Sequence, residues 1–373
     1  MSFQTILNKA YEGFVFNLKA KPIELVHLLK NKNLFSSPSY YPEKKQSPIW
    51  KNFIFQVGQV IKHGRPEKYY FMYGFDVKTK TERSEYIDYL TFKKRRDVLN
   101  YKNNAHNSTC VLRNKLYFDV FARSIGVPTP SIEACYFKNQ LHLLGNGFRA
   151  ITFDEYSQMG NRTLFCKETA GECGAGVFKL KIDDGKFYIK DKGVTAGEVE
   201  EMMHNSEYLF QKLVEQHPEM NKMYPGSINT IRLVTVRGLK DGKYHVMPSM
   251  LRIGANGSFV DNTSQGGLAV GFDLGSGQLH EFGFYKPEFG TKTDHHPNSN
   301  IMFADFKIPF IQEAEELAIR YHSMLKDIHS IGWDISIGPD GPIFIEGNDN
   351  WEINGPQVSN HGLKKEFLEY FFK

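Results

Sequence analysis

Cysteine is scarce in this chain of 373 residues: Cys110, Cys135, Cys166 and Cys173 are the whole set, and no two stand at CxxC spacing. That excludes a disulfide framework and a zinc ribbon, and it fits a reducing compartment. Charge of one sign is also lacking, since 46 Lys and Arg face 42 Asp and Glu for a formal net charge of +4. So small a balance gives no argument for a nucleic-acid partner. Apolar runs are short, and the N-terminus lacks the apolar core of a signal peptide, so a cytoplasmic location without membrane insertion is expected. The stretch from Ile6 to Leu29 carries Lys9, Lys19 and Lys21 and is split by Pro22. It shows no long basic amphipathic face of a membrane anchor. No GKS or GKT follows a glycine loop, which excludes a Walker site, and no GxSxG or Cys-His signature supports a Ser or Cys nucleophile. With 41% hydrophobic and 24% charged residues, the chain can bury a sizeable core and exceeds one typical domain.

Near the C-terminus, GWDISIGPDGPIFIEGNDN at 332–350 alternates in WDISI, turns at DGP and alternates again in IFIEG. This pattern predicts a β-hairpin. Side chains at i and i+2 share a face, so Glu346 and Asn348 stand together, and Asp334 can face them from the partner strand. Carboxylates with an amide oxygen, and neither His nor Cys, suit a hard cation such as Mg²⁺ that shares its coordination with phosphates. Taken alone, an exposed acidic hairpin explains the same residues.

Upstream, TLFCKETAGECGAGVFKLKI at 163–182 predicts a strand ending in Lys167, a glycine loop and a second strand. Gly171, Gly174 and Gly176 permit close backbone approach to phosphate oxygens, with Lys167 adding a point charge. An ordinary hairpin turn is the alternative for the loop by itself. Cys173 within it reads as a small side chain filling a tight loop.

Together with LRNKLYFDVFARSIGVPTP at 112–130, FQKLVEQHP at 210–218, INTIRLVTV at 228–236, PSMLRIG at 248–254 and DNTSQGG at 261–267, these motifs occur in an order that resembles the ATP-grasp superfamily, and within it the sugar-transfer-associated ATP-grasp family. The resemblance covers about residues 110–373 and implies an α+β ATP-grasp fold in which two α+β subdomains grip ATP, with an additional N-terminal region. It implies ATP and Mg²⁺ as cofactors. It further implies phosphate contacts from Lys115 and Lys167, adenine contacts from the backbone of Gln211, Lys212, Leu213 and Val214, and a ribose ligand in Glu215 or Glu219. Arg252 would neutralise the transferring phosphoryl group, Asn262 with Gly266 and Gly267 would line the acceptor site, and Asp334, Glu346 and Asn348 would hold magnesium. The activity implied is carboxylate–amine ligation through an acyl phosphate, with saccharide or other small-molecule substrates of polysaccharide or cell-envelope biosynthesis. A phosphotransferase and a nucleotide-binding protein without turnover are the alternatives.

Three regions are expected: 1–110 of uncertain fold, 111–217 with a helix and the lid, and 218–373 with the metal site. YYFMYGF at 69–75 reads as a buried strand or helix that periodicity does not assign. A helix is expected over 112–125 before GVPTP, lid strands near 132–144 and 163–190, and a helix opened by a Thr195–Glu198 capping box. A long helix is expected to carry Ala314, Leu317, Ala318, Tyr321, Leu325 and Ile328. The KKRR run at 93–96 reads as a solvated surface or local phosphate contact, and His295 with His296 as a loop without metal. Arg232 fits equally a substrate carboxylate or an internal acid.

Overall fold

The computed structural model describes residues 21–101, 106–145, 148–171 and 176–373; Lys9, Lys19, Cys173 and Gly174 lie outside them. Within this range no helix is long and apolar enough to cross a membrane.

Two antiparallel sheets organise the chain. The first is built from β1 (Ile132–Phe137), β2 (Gln140–Leu143), β3 (Arg149–Ile151), β4 (Arg162–Glu168), β5 (Phe178–Asp183), β6 (Lys186–Ile189), β7 (Lys192–Val194) and β8 (Tyr208–Lys212). Its order is β3-β2-β1-β8-β4-β5-β6-β7. Alternation along β4 sends Leu164 and Cys166 into a core with Phe153, Tyr156 and Phe210, which leaves Phe165 and Lys167 on the opposite face. A short helix, Ala196–Met202, opens with the expected capping box, Thr195 and Glu198 satisfying each other's backbone N–H groups.

The second sheet contains β9 (Thr230–Arg237), β10 (Tyr244–Ile253), β11 (Leu268–Phe272), β12 (Leu279–Phe284), β13 (Lys292–Thr293), β14 (Ser330–Gly338) and β15 (Gly341–Asn348), in the order β13-β12-β11-β10-β9-β14-β15. Both faces are covered. Ile231, Leu233, Trp333, Ile335 and Ile337 pack with the helix Ile311–Met324 through Ala314, Ala318 and Tyr321. Leu325 and Ile328 share that core from beyond the helix end. Val234, Val236 and Met247 pack the other way, against Phe92, Trp351, Phe367 and Phe371.

Several expectations change here. The helix over 112–125 is divided at Asn114, which caps Lys115–Ser124 through its side chain, and its Phe118 and Ala122 bury in the core of the second sheet rather than of the first. YYFMYGF is neither strand nor helix; it is a succession of turns whose Tyr70, Tyr73 and Phe75 are buried, because aromatic packing with Phe55 and Tyr86 sets its path. The KKRR run is solvated at Lys94 and structural at its arginines. Arg96 is buried and donates to the carbonyls of Asn350 and Trp351, and Arg95 donates to that of Phe371. His296 is buried with Nε2 on the Gly254 carbonyl at 2.8 Å.

Candidate active site

Strand register sets the site's charges. Arg232 on β9 pairs with Asp334 on β14, which pairs with Glu346 on β15. The three side chains therefore form one row across the sheet. The next row pairs Thr230 with Arg252 on β10. A bulge between Asp334 and Ile335 interrupts the hairpin ladder directly after the row of Arg232, Asp334 and Glu346.

The rows lock together through short contacts. Arg232 grips Asp334 with two bonds, Nε to Oδ1 at 2.6 Å and Nη2 to Oδ2 at 3.1 Å, which settles its partner as an internal acid. Arg252 Nη2 reaches Asp334 Oδ2 at 3.0 Å and Thr230 Oγ1 at 2.6 Å. Asp261 accepts from the Thr230 hydroxyl and backbone N–H, and stands 3.4 Å from Arg252 Nε. Burial would raise the Asp334 carboxyl, but the Arg232 and Arg252 charges outweigh it and hold it well below the usual carboxylate range. Glu346 goes the other way. Burial and then the adjoining Asp334 charge push its carboxyl up, against Lys115 and Lys167. Asp261 is raised by burial, with Arg252 opposing.

The first sheet supplies the facing wall. Lys167 is 6% exposed, and burial, opposed by the Glu346 charge, lowers its ammonium to about 8. Lys115 opens its helix, where a cation works against the helix dipole. Its backbone N–H bonds the Thr169 carbonyl at 2.8 Å, and its Nζ the Gly171 carbonyl at 2.5 Å. These bonds tie the helix start to the end of β4. Gly176 has φ of +69°, and a Cβ there would come within 2.9 Å of the Tyr208 hydroxyl, so both conformation and space require glycine.

One cavity of about 550 Å³ collects most of the expected residues: Lys115, Lys167 and Gly171, the segment Gln211 to Val214, and Arg252, Asn262, Asp334, Glu346 and Asn348. Six Lys and Arg face four carboxylates on its wall, leaving an excess that suits a polyanion. Glu215 and Glu219 are not on the wall; Glu215 is exposed, and Glu219 pairs with Lys222 at 2.7 Å. Gln216 and Asn221 take those wall positions, bonded to each other at 2.9 Å. Gly266 and Gly267 are likewise off the wall. Gly267 makes room for the loop, since a Cβ there would meet the Asp261 carbonyl oxygen at 2.4 Å.

Sequence reasoning missed Asp261, Thr230, Phe165 and Lys179, all on the wall. Asp261 stood beside the chosen Asn262, and its tie to Thr230 spans 31 residues, which no local pattern signals. The oxygen set fits a hard divalent cation by its donor chemistry: the paired carboxylates of Asp334 and Glu346 and the Asn348 amide share the cavity wall with no His or Cys among them. Both Asp334 oxygens accept from guanidinium groups, so Asp334 first anchors the network. The Asn348 amide N–H₂ is turned to Gly332 O and Glu346 Oε1. Among the described residues no group of three His, Cys, Asp or Glu forms a metal site, so the third protein oxygen would be that of Asn348.

The sequence model of one family, described as sugar-transfer associated ATP-grasp, matches residues 94–370. No curated protein matches. Solved structures that align include an L-amino acid ligase from Bacillus licheniformis, with 13% identity, TM-score 0.39, and 71% of this chain and 46% of that one covered. N5-carboxyaminoimidazole ribonucleotide synthetase from Thermotoga maritima gives 14%, 0.36, 71% and 49%. D-alanine–D-alanine ligase from Bacillus anthracis gives 14%, 0.33, 65% and 57%. The chain thus spans about half the length of the solved structures it matches.

Proposed function

Because this chain belongs to the sugar-transfer associated ATP-grasp family, we propose that its cavity takes ATP with Mg²⁺ and that the protein ligates a carboxylate to an amine through an acyl phosphate. The substrates proposed are saccharides or small molecules of polysaccharide or cell-envelope biosynthesis. The observation that carries this reading is the convergence of Lys115 and Lys167 with Arg252, Asp334 and Glu346 on one cavity.

In this reading Lys115 and Lys167 bind the α- and β-phosphates, and Arg252 meets the charge that develops on the γ-phosphoryl group. A carboxylate oxygen attacks the γ-phosphorus, the β–γ bridging bond breaks, and ADP leaves with the electron pair. The amine nitrogen then attacks the acyl carbon, orthophosphate departs and the nitrogen gives up a proton. Held by Asp334, Glu346 and Asn348, Mg²⁺ would neutralise charge on the phosphate oxygens. The backbone from Gln211 to Val214 would take the adenine edge, and Asn262 would stand at the acceptor side. Closure of the first sheet and its glycine loop over the cavity would exclude water and protect the acyl phosphate.

The test is ADP release from purified protein with a panel of carboxylates crossed with amines, followed by mass spectrometry of the product. An amide supports the proposal. A phosphate ester replaces it with a phosphotransferase, and nucleotide binding without ADP release across the panel replaces it with a non-catalytic binder.

A further inference from the structure

The helix Ile49–His63 leaves much of its apolar surface uncovered. Its buried side joins Val60 and the partly buried Phe55 with two polar residues: Asn52 donates to the Phe35 carbonyl, and Gln56 donates to the carbonyls of Leu34 and Glu67 while accepting from the Glu67 N–H. Its outer side carries Trp50, Ile54 and Ile61, each 60% exposed. Positions 50, 54 and 61 fall on one stripe about 16 Å long, with Val57 between them. The preceding helical stretch, 21–30, also turns Ile23, Val26 and Leu29 outward. Burial of the outer residues would be the ordinary outcome for a helix of this composition, so the stripe asks for an apolar partner.

Charge identifies the partner. Residues 21–65 contain eight Lys and Arg and two Glu, an excess larger than the +4 of the entire chain, which leaves the remainder net acidic. The helix Ile49–His63 has no acidic residue, and Lys51 and Lys62 are exposed along it. An indole and β-branched side chains amid exposed lysines fit the boundary between headgroups and acyl chains of an anionic bilayer. We propose that this N-terminal face is a peripheral membrane-binding surface for anionic lipid, with the Trp50–Ile54–Ile61 stripe lying in the interface plane and the lysines on headgroup phosphates.

Tryptophan fluorescence gives a site-specific readout, because Trp333 and Trp351 are buried and Trp50 is the third of three. With full-length protein, phosphatidylcholine vesicles containing phosphatidylglycerol should shift the emission to the blue and carry the protein in flotation. Raised salt or omission of phosphatidylglycerol should weaken both effects. The double variant Ile54→Ser/Ile61→Ser should lower vesicle affinity about tenfold or more, and its melting temperature should stay near that of the wild type because both positions are exposed. Absence of flotation and of any shift would overturn the proposal. So would Trp50 already shielded from acrylamide without lipid, whether in a monomer or in a dimer seen by sedimentation.

Discussion

The two walls of the cavity differ in how their charges are held. On the second sheet, Arg232, Asp334, Arg252 and Thr230 satisfy one another through bonds fixed by strand register, and Asp261 joins them from the loop before β11. On the first, Lys167 is buried at a strand end and kept close to losing its proton, and Lys115, whose helix packs on the second sheet but which bonds the Thr169 and Gly171 carbonyls beyond β4, works against its own helix dipole. One wall is assembled before any ligand arrives. The other holds positive charge at a cost that an anionic ligand would offset. The residues of the first wall should therefore report ligand, while those of the second report fold and ligand together.

Breaking the assembled wall should have the largest effect. Asp334→Ala leaves two guanidinium groups buried without their shared carboxylate, so it should destabilise by about 3–5 kcal/mol and abolish ADP release. Urea denaturation and a turnover assay check both. A variant with normal stability would mean that the network is not preassembled. Glu346→Gln separates the two readouts. Turnover that depends on Mg²⁺ should be lost, while stability holds or rises, because the mutation removes a charge that burial and Asp334 oppose. The sign follows from linkage: a carboxyl raised in the folded state favours folding when protonated, so its contribution fades as pH rises through its folded range. The glutamine variant should lose that dependence in unfolding curves recorded across pH.

Lys167 offers a smaller and sharper test. Burial lowers its ammonium to about 8, with the Glu346 charge opposing. Nucleotide phosphates favour the charged form, so affinity should fall as pH rises through about 8, when binding must also take up a proton. Lys167→Arg stays charged and should flatten that slope even if it weakens binding. Isothermal titration in buffers of different ionisation enthalpy counts the proton directly. A wild-type slope equal to the arginine variant's would remove Lys167 from the phosphate contacts.

The contrast between walls also marks what the sequence could reveal. Asp334, Glu346 and Asn348 were legible because alternation and the DGP turn fix a hairpin register over a short span, and the structure pairs Asp334 with Glu346 across it. Lys167 and its strand were legible for the same reason. Arg232 could not be assigned, because its partner lies 102 residues away. Asp261 was passed over for Asn262, since only the folded approach to Thr230 distinguishes them. YYFMYGF defeated periodicity because its aromatic residues bury on every side of a turning chain. The exposed stripe of the helix Ile49–His63 escaped for another reason: its spacing gives the stripe but not which side faces solvent.

The smallest effect is expected at Glu219, and it tests whether the hinge, the segment from Gln211 to Asn221 that links the two sheets, follows geometry or motif. By motif, Glu215 or Glu219 is the ribose ligand. By geometry, Glu219 is half exposed, paired with Lys222 three residues on, and absent from the cavity wall, where Gln216 and Asn221 stand instead. An exposed pair of this kind contributes about 0–1 kcal/mol, so Glu219→Ala should leave both stability and nucleotide affinity within about twofold of wild type. Gln216→Ala should do more, because its amide holds Asn221 Oδ1 and the Tyr224 carbonyl while accepting the Asn229 N–H. That loss should appear in melting temperature first and in affinity second, as the hinge loosens. Should Glu219→Ala instead weaken ATP binding tenfold with an unchanged melting temperature, the carboxylate must swing into the cavity when nucleotide binds. The second wall would then reorganise on binding, and the distinction between an assembled wall and a waiting one would fail at the hinge.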